Sequence, residues 1–202
     1  MYNDPLIFGK DQTERIVSIE TSDNSLELFV KNEDGTTSSK FLPNKYWLLC
    51  NDKIDNNWIR LKGDLHYKWG RQFNEKRDFN SVKARLKHRR DIYTINDPRE
   101  NALVNKGITM FKGLNPKDLS VLSFDIETTG INHNDDSKLL IIANTFRNSN
   151  GQVYRKLFGY DQYDNEGEMI NHWVNWIKKL DPDVLCGHNI LSYDFPYIKF
   201  IA

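Results

Sequence analysis

The clearest alternation of apolar and polar positions in this 202-residue chain lies in Val121–Glu127. Apolar residues take every second position and Gly130 follows closely, a pattern that predicts one short strand ending in a turn. Because successive side chains of a strand point to opposite faces, Asp125 and Glu127 are expected to share one face, roughly 6–7 Å apart. The residues expected on the opposite face, in a core, are Leu122, Phe124 and Ile126.

The residues after this strand change between strand-like and helix-like patterns. Further strands are predicted at Leu139–Phe146, Val153–Tyr160 and Val184–Gly187. Helices are predicted from Asn165 or Glu166 to about Leu180, and over Asp194–Ala202. The inward apolar stripe of the first helix consists of Met169, Trp173, Ile177 and Leu180. This order predicts an α/β layer, a mixed sheet with helices, as a domain over residues 119–202.

Residues 1–118 are predicted to form a separate, mostly β domain. Short alternating runs predict six strands, at Arg15–Ile19, Leu26–Lys31, Thr36–Phe41, Lys45–Cys50, Trp58–Leu61 and Leu65–Trp69. We expect these strands to build a twisted sheet or a small barrel. A helix capped by Asp97 is predicted to end at Gly107, and a brief strand, Ile108–Phe111, is predicted to follow it.

Charge is balanced over the whole chain but unevenly distributed. The 28 Lys and Arg residues equal the 28 Asp and Glu residues, so the net charge indicates no particular partner. Residues 60–90, however, hold eleven basic side chains against three acidic ones. A helix is predicted here, from Asp78 or Asn80 to about Arg90. Because clustered cations favour phosphate backbones, the candidate DNA contacts on this helix are Lys83, Arg85, Lys87 and Arg89. A solvated helix face is the alternative.

Several aromatic residues lie beside this basic segment, namely Trp58, Tyr67, Trp69 and Phe73. Exposed aromatic rings can stack on nucleic-acid bases. The same rings also fit the predicted strands as core residues, and the sequence alone favours neither interpretation.

Other composition features exclude several classes of protein. Cys50 and Cys186 are the only cysteines, and the five histidines lack metal-ligand spacing, so neither a disulfide framework nor a zinc site is indicated. The first residues lack the pattern of a signal peptide, and no apolar run reaches membrane-spanning length. We therefore expect an intracellular, cytoplasmic protein that makes no contact with a membrane.

Asp125 and Glu127 are the first candidates for chemistry. Two carboxylates at the end of a buried strand are costly to desolvate unless a positive charge neutralises them. Their hard oxygen ligands suit Mg²⁺ or Mn²⁺. The alternative is a pair of solvated acids where a strand emerges from the core.

Residues 124–130 have the sequence Phe-Asp-Ile-Glu-Thr-Thr-Gly, and residues 181–198 contain Gly187, Asn189 and Asp194 at short spacings. These two segments resemble the first and the second motif of the proofreading 3′–5′ exonuclease of family B DNA polymerases, most closely those of phage and viral type. In the second motif the family has Gly-Tyr-Asn, a short spacer and then Phe-Asp. Asn189 and Asp194 match that pattern, while His188 and Tyr193 replace its aromatic residues. The two motifs occur in the expected order with a helix predicted between them, which makes the resemblance specific.

The resemblance implies an RNase H-like fold for the second domain and removal of a mispaired 3′-terminal nucleotide from DNA. The implied chemistry uses two metal ions, one that activates the attacking water and one that stabilises the leaving 3′ oxygen. Asp125 would bridge both ions, Glu127 would complete the site, and Asp194 would reach the second ion through water. Thr128 and Asn189 would contact the terminal nucleotide. For Asp194, a helix-capping role is the alternative.

Exonucleases of this group also use a third motif, a Tyr and an Asp on a later helix, and no such motif follows Asp194 in this sequence. We therefore expect an N-terminal fragment of a family B polymerase, truncated or encoded by a split gene. It would act on a single-stranded 3′ end or a primer-template, and would be inactive until the same or a separate chain supplied the rest. Two alternatives stay open. One is a small nuclease that takes its missing carboxylate from Asp135, Asp136 or another chain; the other is a non-catalytic nucleic-acid-binding module that uses residues 60–90.

Overall fold

A computed structural model describes residues 4–131 and 137–202. The chain divides into two compact units, Met1–Leu114 and Asn115–Ala202. The division falls shortly before the boundary predicted at Leu119. Each unit has buried apolar clusters of its own. That the units are separate domains with the predicted bounds stays a prediction.

The first sheet of the N-terminal unit follows a short helix, α1 (Pro5–Phe8). Strands β1 (Ile16–Thr21), β2 (Ser25–Lys31) and β3 (Thr37–Pro43) pair antiparallel in that order. The core on the inner face of this sheet consists of Ile16, Ile19, Leu26, Leu28, Ala102 and Ile108. Three of the predicted strands are therefore confirmed, with ends that differ from the predictions by at most two residues.

A second sheet lies in the same unit and contains β4 (Tyr46–Cys50), β5 (Ile59–Arg60) and β6 (Trp69–Phe73). The strand order is β4-β6-β5, and both pairings are antiparallel. The core of this sheet consists of Tyr46, Leu48, Cys50, Trp58, Phe73, Phe79 and Val82. Two three-stranded sheets thus replace the single sheet or barrel that we expected.

Two helices follow these strands, α2 (Lys76–Arg85) and α3 (Pro98–Lys106). The helix α3 begins where it was predicted, because the Asp97 carboxylate accepts hydrogen bonds from the first-turn backbone nitrogens. It ends at Gly107, whose φ of +68° is the left-handed conformation that glycine adopts without steric cost.

The helix α2 differs from its prediction at both ends. It begins at Lys76, earlier than Asp78, because the side-chain oxygen of Asn24 accepts a hydrogen bond from Lys76 N at 3.0 Å. This partner comes from the turn between β1 and β2, so the local sequence around α2 does not reveal it. The helix ends at Arg85 rather than Arg90, and the chain then turns.

Two strand predictions in this unit are wrong. Leu65 lies in a loop and is half exposed, and the strand predicted at Leu65–Trp69 begins only at Trp69. Ile108–Phe111 is not a strand, because Ile108 and Thr109 have no regular structure and a turn begins at Met110. Gly107 and Phe111, at φ +68° and +61°, are both left-handed, a conformation incompatible with extended backbone.

The C-terminal unit is built on one four-stranded sheet. Its strands are β7 (Val121–Thr128), β8 (Leu139–Arg147), β9 (Val153–Gly159) and β10 (Val184–Cys186). The order is β10-β7-β8-β9, in which β10 runs parallel to β7 and the other pairs are antiparallel. The mixed sheet predicted for this half of the chain is confirmed.

Two helices of the C-terminal unit, α4 (Glu166–Leu180) and α5 (Asp194–Ile201), pack on one face of the sheet. The shared core consists of Phe124, Ile126, Leu139, Ile142, Phe158, Met169, Ile170, Trp173, Ile190, Tyr197 and Ile198. The side chain of Asn144 is buried in this core and accepts a hydrogen bond from Trp173 Nε1 at 2.9 Å. The opposite face of β7 carries its polar residues.

Within residues 4–131 and 137–202, none of the helices combines the length and apolarity that crossing a bilayer requires.

Candidate functional site

Asp125 and Glu127 emerge on the open face of the sheet in the C-terminal unit. Both are exposed, whereas their neighbours Phe124 and Ile126 are buried on the helix-covered face. The antiparallel register places Asp125 opposite Ala143 on β8. The alternation along β7 therefore presents both carboxylates to the same side, as its sequence predicts.

Asp194 approaches β7 from the other motif. It is the first residue of α5, is only 2% exposed, and accepts a hydrogen bond from Ile126 N at 3.2 Å through Oδ1. The same carboxylate also accepts a hydrogen bond from its own backbone N–H at the start of α5. The bond to Ile126 N holds the carboxylate against the middle of the two-acid segment, a contact that a helix-capping role alone does not explain.

The electrostatic environment of Asp194 disfavours its charge. Burial raises the pKa of this carboxyl above its usual range, and the nearby negative charge of Asp125 raises it further. Its own backbone N–H, the Ile126 N–H and His188 act in the opposite direction but do not reverse the shift. A divalent cation bound beside Asp194 and Asp125 would remove this penalty.

The turn between β10 and α5 brings the second motif close to β7. A Cβ atom on Gly187 would lie 2.4 Å from the backbone oxygen of Phe124, so only glycine allows this approach. Asn189 is exposed, has a φ of +55°, and accepts hydrogen bonds from Ser192 N and Tyr193 N through its backbone oxygen. Its side chain is thus presented to solvent by a tight turn.

Thr128 ends β7, and its hydroxyl already has partners within the protein. Thr128 Oγ1 donates to the backbone oxygen of Gly130 at 2.9 Å and lies 2.9 Å from the Tyr193 hydroxyl. Thr128 was predicted to contact the nucleotide, whereas Tyr193 was noted only as a replacement for an aromatic residue of the family motif. The added hydroxyl of Tyr193 was the signal that could have indicated this link.

A depression of about 610 Å³ lies on the open sheet face beside Asp125. The residues that line it come from β7, β8 and β9, and they are Ser123, Phe124, Asp125, Ala143, Asn144, Thr145, Arg155, Lys156 and Leu157. Arg155 was not predicted as a functional residue. It lines the same depression as Asp125, so residues of both charge signs border this part of the sheet.

The three predicted ligands are not gathered into a complete metal-binding cluster. Among the residues that the structure describes, no group of three or more His, Cys, Asp or Glu side chains is arranged to hold an ion. Asp125 and Asp194 interact electrostatically, and Glu127 is exposed on the same face of β7 as Asp125. Asp135 and Asp136, the alternative ligands, lie outside the described residues.

The four predicted basic contacts belong to the N-terminal unit and differ in their surroundings. Lys83 Nζ donates to Asn96 at 2.7 Å. Arg89 forms ion pairs with Asp91 at 2.7 Å and Asp52 at 3.1 Å, and the hydrogen bond that it donates to Asp91 is the main cause that raises its pKa. Arg85 and Lys87 are exposed. The chain turns after Arg85, so the four residues do not share one helix as predicted. That they contact DNA stays a prediction.

The aromatic residues beside the basic segment serve mainly in packing. Trp58 and Phe73 are 2% and 4% exposed and belong to the core of the second sheet, and Trp69 packs partly buried against it. Tyr67 is stacked on Tyr93 with ring centroids 5.3 Å apart. The stacking-platform interpretation is therefore wrong for Trp58 and Phe73.

Most of the chain is similar to parts of known DNA polymerases. Residues 56–200 match the family model described as DNA polymerase family B, exonuclease domain. The DNA polymerase of Thermococcus sp. (strain 9oN-7) is 29% identical over 150 residues, covering 65% of this chain and 18% of that protein. The DNA polymerase of Thermococcus litoralis is 26% identical over 196 residues, covering 78% of this chain and 11% of that protein. The DNA polymerase delta catalytic subunit of Candida albicans is 30% identical over 97 residues, covering 40% of this chain and 9% of that protein.

A solved structure shows the same fold. The structure of the family B DNA polymerase from the hyperthermophilic archaeon Pyrobaculum calidifontis superposes with a TM-score of 0.65 and 17% sequence identity. The match covers 92% of this chain and 31% of that one. The chain spans 9 to 18% of the length of the three relatives above.

Proposed function

The chain belongs to the family B DNA polymerases, and we propose that it carries the metal-binding part of their proofreading 3′–5′ exonuclease. The reaction is hydrolysis of the 3′-terminal phosphodiester bond of DNA. The single observation that carries this proposal is the placement of Asp194, a buried carboxylate bonded to Ile126 N beside the negative charge of Asp125. The phage or viral type of the polymerase stays a prediction.

The residues present fit a divalent cation. Asp125 and Glu127 offer hard oxygen ligands from one strand face, and Asp194 offers a third whose charge the fold alone does not neutralise. We propose that these three residues hold Mg²⁺ or Mn²⁺, with two ions in a complete site. When bound, the ions would activate the attacking water and stabilise the leaving 3′ oxygen.

The substrate is proposed to be the single-stranded 3′ end of DNA, presented from a primer-template. Asn189 lies exposed on the turn next to the acids and can donate from its amide to a sugar or phosphate oxygen. Thr128 lies at the end of β7 directly after Glu127, so it is proposed to contact the same terminal nucleotide. Arg155, at the wall of the depression, is suited to bind a phosphate of the same strand.

The polymerase activity and a third carboxylate-bearing motif are proposed to lie outside these 202 residues, in the same or a separate chain. The isolated chain is then expected to bind metal and a DNA end without efficient hydrolysis. Degradation of single strands at the rate of a complete polymerase exonuclease would contradict this expectation and favour an independent small nuclease.

The test uses a 5′-fluorescein-labelled single-stranded oligonucleotide with a free 3′ hydroxyl, followed by fluorescence anisotropy. We expect Mn²⁺ to strengthen binding to the chain several-fold compared with EDTA. Asp125→Asn should remove this metal-dependent gain. Asp164→Asn is the matched control, because Asp164 is an exposed acid of the same unit far from β7 in sequence.

The outcome separates the proposal from a non-catalytic binding module. If Mn²⁺ strengthens binding equally in the wild-type and Asp125→Asn chains, the acids do not form the proposed site. Oligonucleotide binding that does not depend on Mn²⁺, but is lost when residues 83, 85, 87 and 89 are neutralised together, would favour the non-catalytic binding module.

A further inference from the structure

A chain of hydrogen bonds joins the two motifs beside the proposed metal site. Thr128 Oγ1 donates to the backbone oxygen of Gly130 at 2.9 Å, and the Tyr193 hydroxyl lies 2.9 Å from Thr128 Oγ1. Either hydroxyl can be the donor in the contact between Thr128 and Tyr193. The Tyr193 hydroxyl can also donate to the Gly130 backbone oxygen, at 3.4 Å. The start of α5 is thereby tied to the turn that follows β7.

This link lies next to two of the proposed ligands. Thr128 directly follows Glu127, and Tyr193 directly precedes Asp194. A second hydrogen bond, from Ile126 N to Asp194 Oδ1, lies on the other side of Glu127. Residues 193 and 194 therefore hold β7 at two points, one on each side of the Glu127 carboxylate.

The regular sheet gives Glu127 little support of its own. Strand β10 pairs with β7 only from Val121 to Ser123, so it ends before the acids begin. On the other side, the pairing of β7 with β8 changes register between Glu127 and Thr128. The hydrogen bonds from the start of α5 supply the restraint that the strand ladder lacks at this point.

Packing of the Tyr193 ring fixes the position of its hydroxyl. The Tyr193 ring lies 5.9 Å from the ring of Tyr197, which is fully buried, and it packs against the core of the C-terminal unit. A phenylalanine at this position would keep that packing and lose only the hydroxyl. The substitution Tyr193→Phe is therefore a selective test of the link.

We propose that Tyr193 is a positioning residue whose hydroxyl fixes the turn after Glu127 and thereby the separation of the Glu127 and Asp194 carboxylates. The inference rests on the proposed function, since it assigns Tyr193 a role toward the same divalent cation. Tyr193 itself acts through Thr128 and Gly130. Groups that orient metal ligands typically contribute about 10–100-fold to metal affinity.

The test is a calorimetric titration of Mn²⁺ into the wild-type chain and its variants. Tyr193→Phe is expected to weaken Mn²⁺ binding about tenfold. Thr128→Val should weaken Mn²⁺ binding to a similar extent, whereas Thr128→Ser, which keeps the hydroxyl, should bind Mn²⁺ like the wild type. Because both hydroxyls belong to one link, the double variant Tyr193→Phe with Thr128→Val should bind Mn²⁺ no more weakly than either single variant. Tyr163→Phe is the matched control, because Tyr163 is a partly buried tyrosine of the same unit that stacks on Phe158.

Backbone hydrogen exchange gives a second measurement that does not depend on metal. Tyr193→Phe is expected to speed exchange at residues 127–130 and to leave the amides of α4 unchanged. Unchanged exchange at residues 127–130 would overturn the positioning role.

The possible results distinguish the two proposals. Equal Mn²⁺ affinity of the wild-type and Asp125→Asn chains would overturn the proposed function and this inference together. If Asp125→Asn weakens binding but Tyr193→Phe does not, only the role of Tyr193 is overturned. A loss that Tyr163→Phe shares would show general destabilisation, and it would overturn the role of Tyr193 as well.

Discussion

At the residue scale, the fold of the C-terminal unit places one carboxylate where its charge is costly. Burial and the nearby Asp125 raise the pKa of Asp194. A carboxyl whose pKa is raised in the folded state contributes stability that is fully present below the unfolded pKa of about 3.9. That contribution is lost as the pH rises through the folded pKa. At neutral pH, Asp194 therefore lowers the free energy of unfolding of the metal-free chain.

We predict that Asp194→Asn stabilises the metal-free chain at pH 7. The amide oxygen can still accept the hydrogen bond from Ile126 N, and the buried charge is removed. The melting temperature, measured by circular dichroism in EDTA, should rise by a few degrees at pH 7. The difference from the wild type should shrink as the pH falls toward about 4.

Asp164→Asn serves as the control for this measurement, because Asp164 is exposed and its charge is solvated. A melting temperature of Asp194→Asn that is lower than that of the wild type at pH 7 would contradict the electrostatic interpretation. So would a difference between the two chains that does not depend on pH.

The sequence predicted the two acids of β7 from local information, since strict alternation fixes which face each side chain takes. It suggested Asp194 through its motif, but the burial that raises its pKa depends on packing of α5 against β7. The Tyr193–Thr128 link joins residues 65 positions apart, and no local pattern reports a contact at that separation. Arg155 was missed for the same reason.

At the element scale, the two helices α2 and α3 differ in where their first-turn partners come from. The Asp97 cap of α3 lies next to its helix in sequence, and the helix begins at the predicted position. The Asn24 partner of α2 comes from a β-turn, 52 residues before Lys76, and the predicted start is wrong. The side chain of Asn24 also donates to Glu75.

We predict that Asn24→Ala frays the first turn of α2. Loss of a side-chain acceptor at a helix N-terminus typically costs about 1 kcal/mol in the free energy of unfolding. Urea denaturation should report this change, and backbone hydrogen exchange at residues 76–79 should become faster.

Asn80→Ala is the matched control, since Asn80 is exposed within α2 and alanine is the stronger helix former. It should be neutral or slightly stabilising. If Asn80→Ala destabilises α2 and Asn24→Ala does not, the long-range cap is not what starts the helix.

The elements of the C-terminal unit were predicted to within one or two residues because their signals are local. Apolar alternation defines β7, and Asn165 caps α4 through its side chain. In the N-terminal unit, by contrast, the strand predicted at Leu65–Trp69 was wrong. Apolar residues in an exposed loop, such as Leu65, carry the same composition as a strand without its burial.

At the scale of the whole molecule, balanced total charge hides a local excess of basic residues. Residues 60–90 carry eleven Lys and Arg against three Asp and Glu. The structure shows that this excess is not uniformly available, since Arg89 is paired with Asp52 and Asp91 whereas Arg85 and Lys87 are exposed. Ion pairs within the protein reduce what such a cation can contribute to DNA binding.

We predict that the double substitution Arg85→Gln and Lys87→Gln weakens binding to single-stranded DNA. Each lost phosphate contact should make the negative slope of log K against log salt concentration less steep by about 0.7. Fluorescence anisotropy titrations at salt concentrations from about 50 to 200 mM measure this slope, because electrostatic binding to nucleic acid weakens steeply over that range.

Arg89→Gln is the contrasting variant, and it should reduce thermal stability more than DNA affinity, because it leaves Asp52 and Asp91 without their partner. If Arg89→Gln makes the salt dependence of DNA binding less steep by as much as the double substitution does, the ion pairs of Arg89 do not withhold it from DNA.

The fold class and the family of the whole chain could be inferred from the sequence, because the motifs and the predicted strands and helices can be read in order along the chain. The arrangement of the N-terminal strands into two sheets could not, because the pairing of β4 with β6 rather than β5 joins elements that are not neighbours in sequence. The basic segment was identified, but the packing of Trp58 and Phe73 in the core was left undecided until burial was known.

The central claim is that Asp125, Glu127 and Asp194 bind a divalent cation. Its most direct test is paramagnetic line broadening of backbone amide signals as Mn²⁺ is added to the isotope-labelled chain. We predict that signals of residues 123–128 and 187–195 disappear first, and that Asp125→Asn abolishes this selectivity. Broadening that begins at other acidic surfaces, or that persists unchanged in Asp125→Asn, would contradict the assignment of the site.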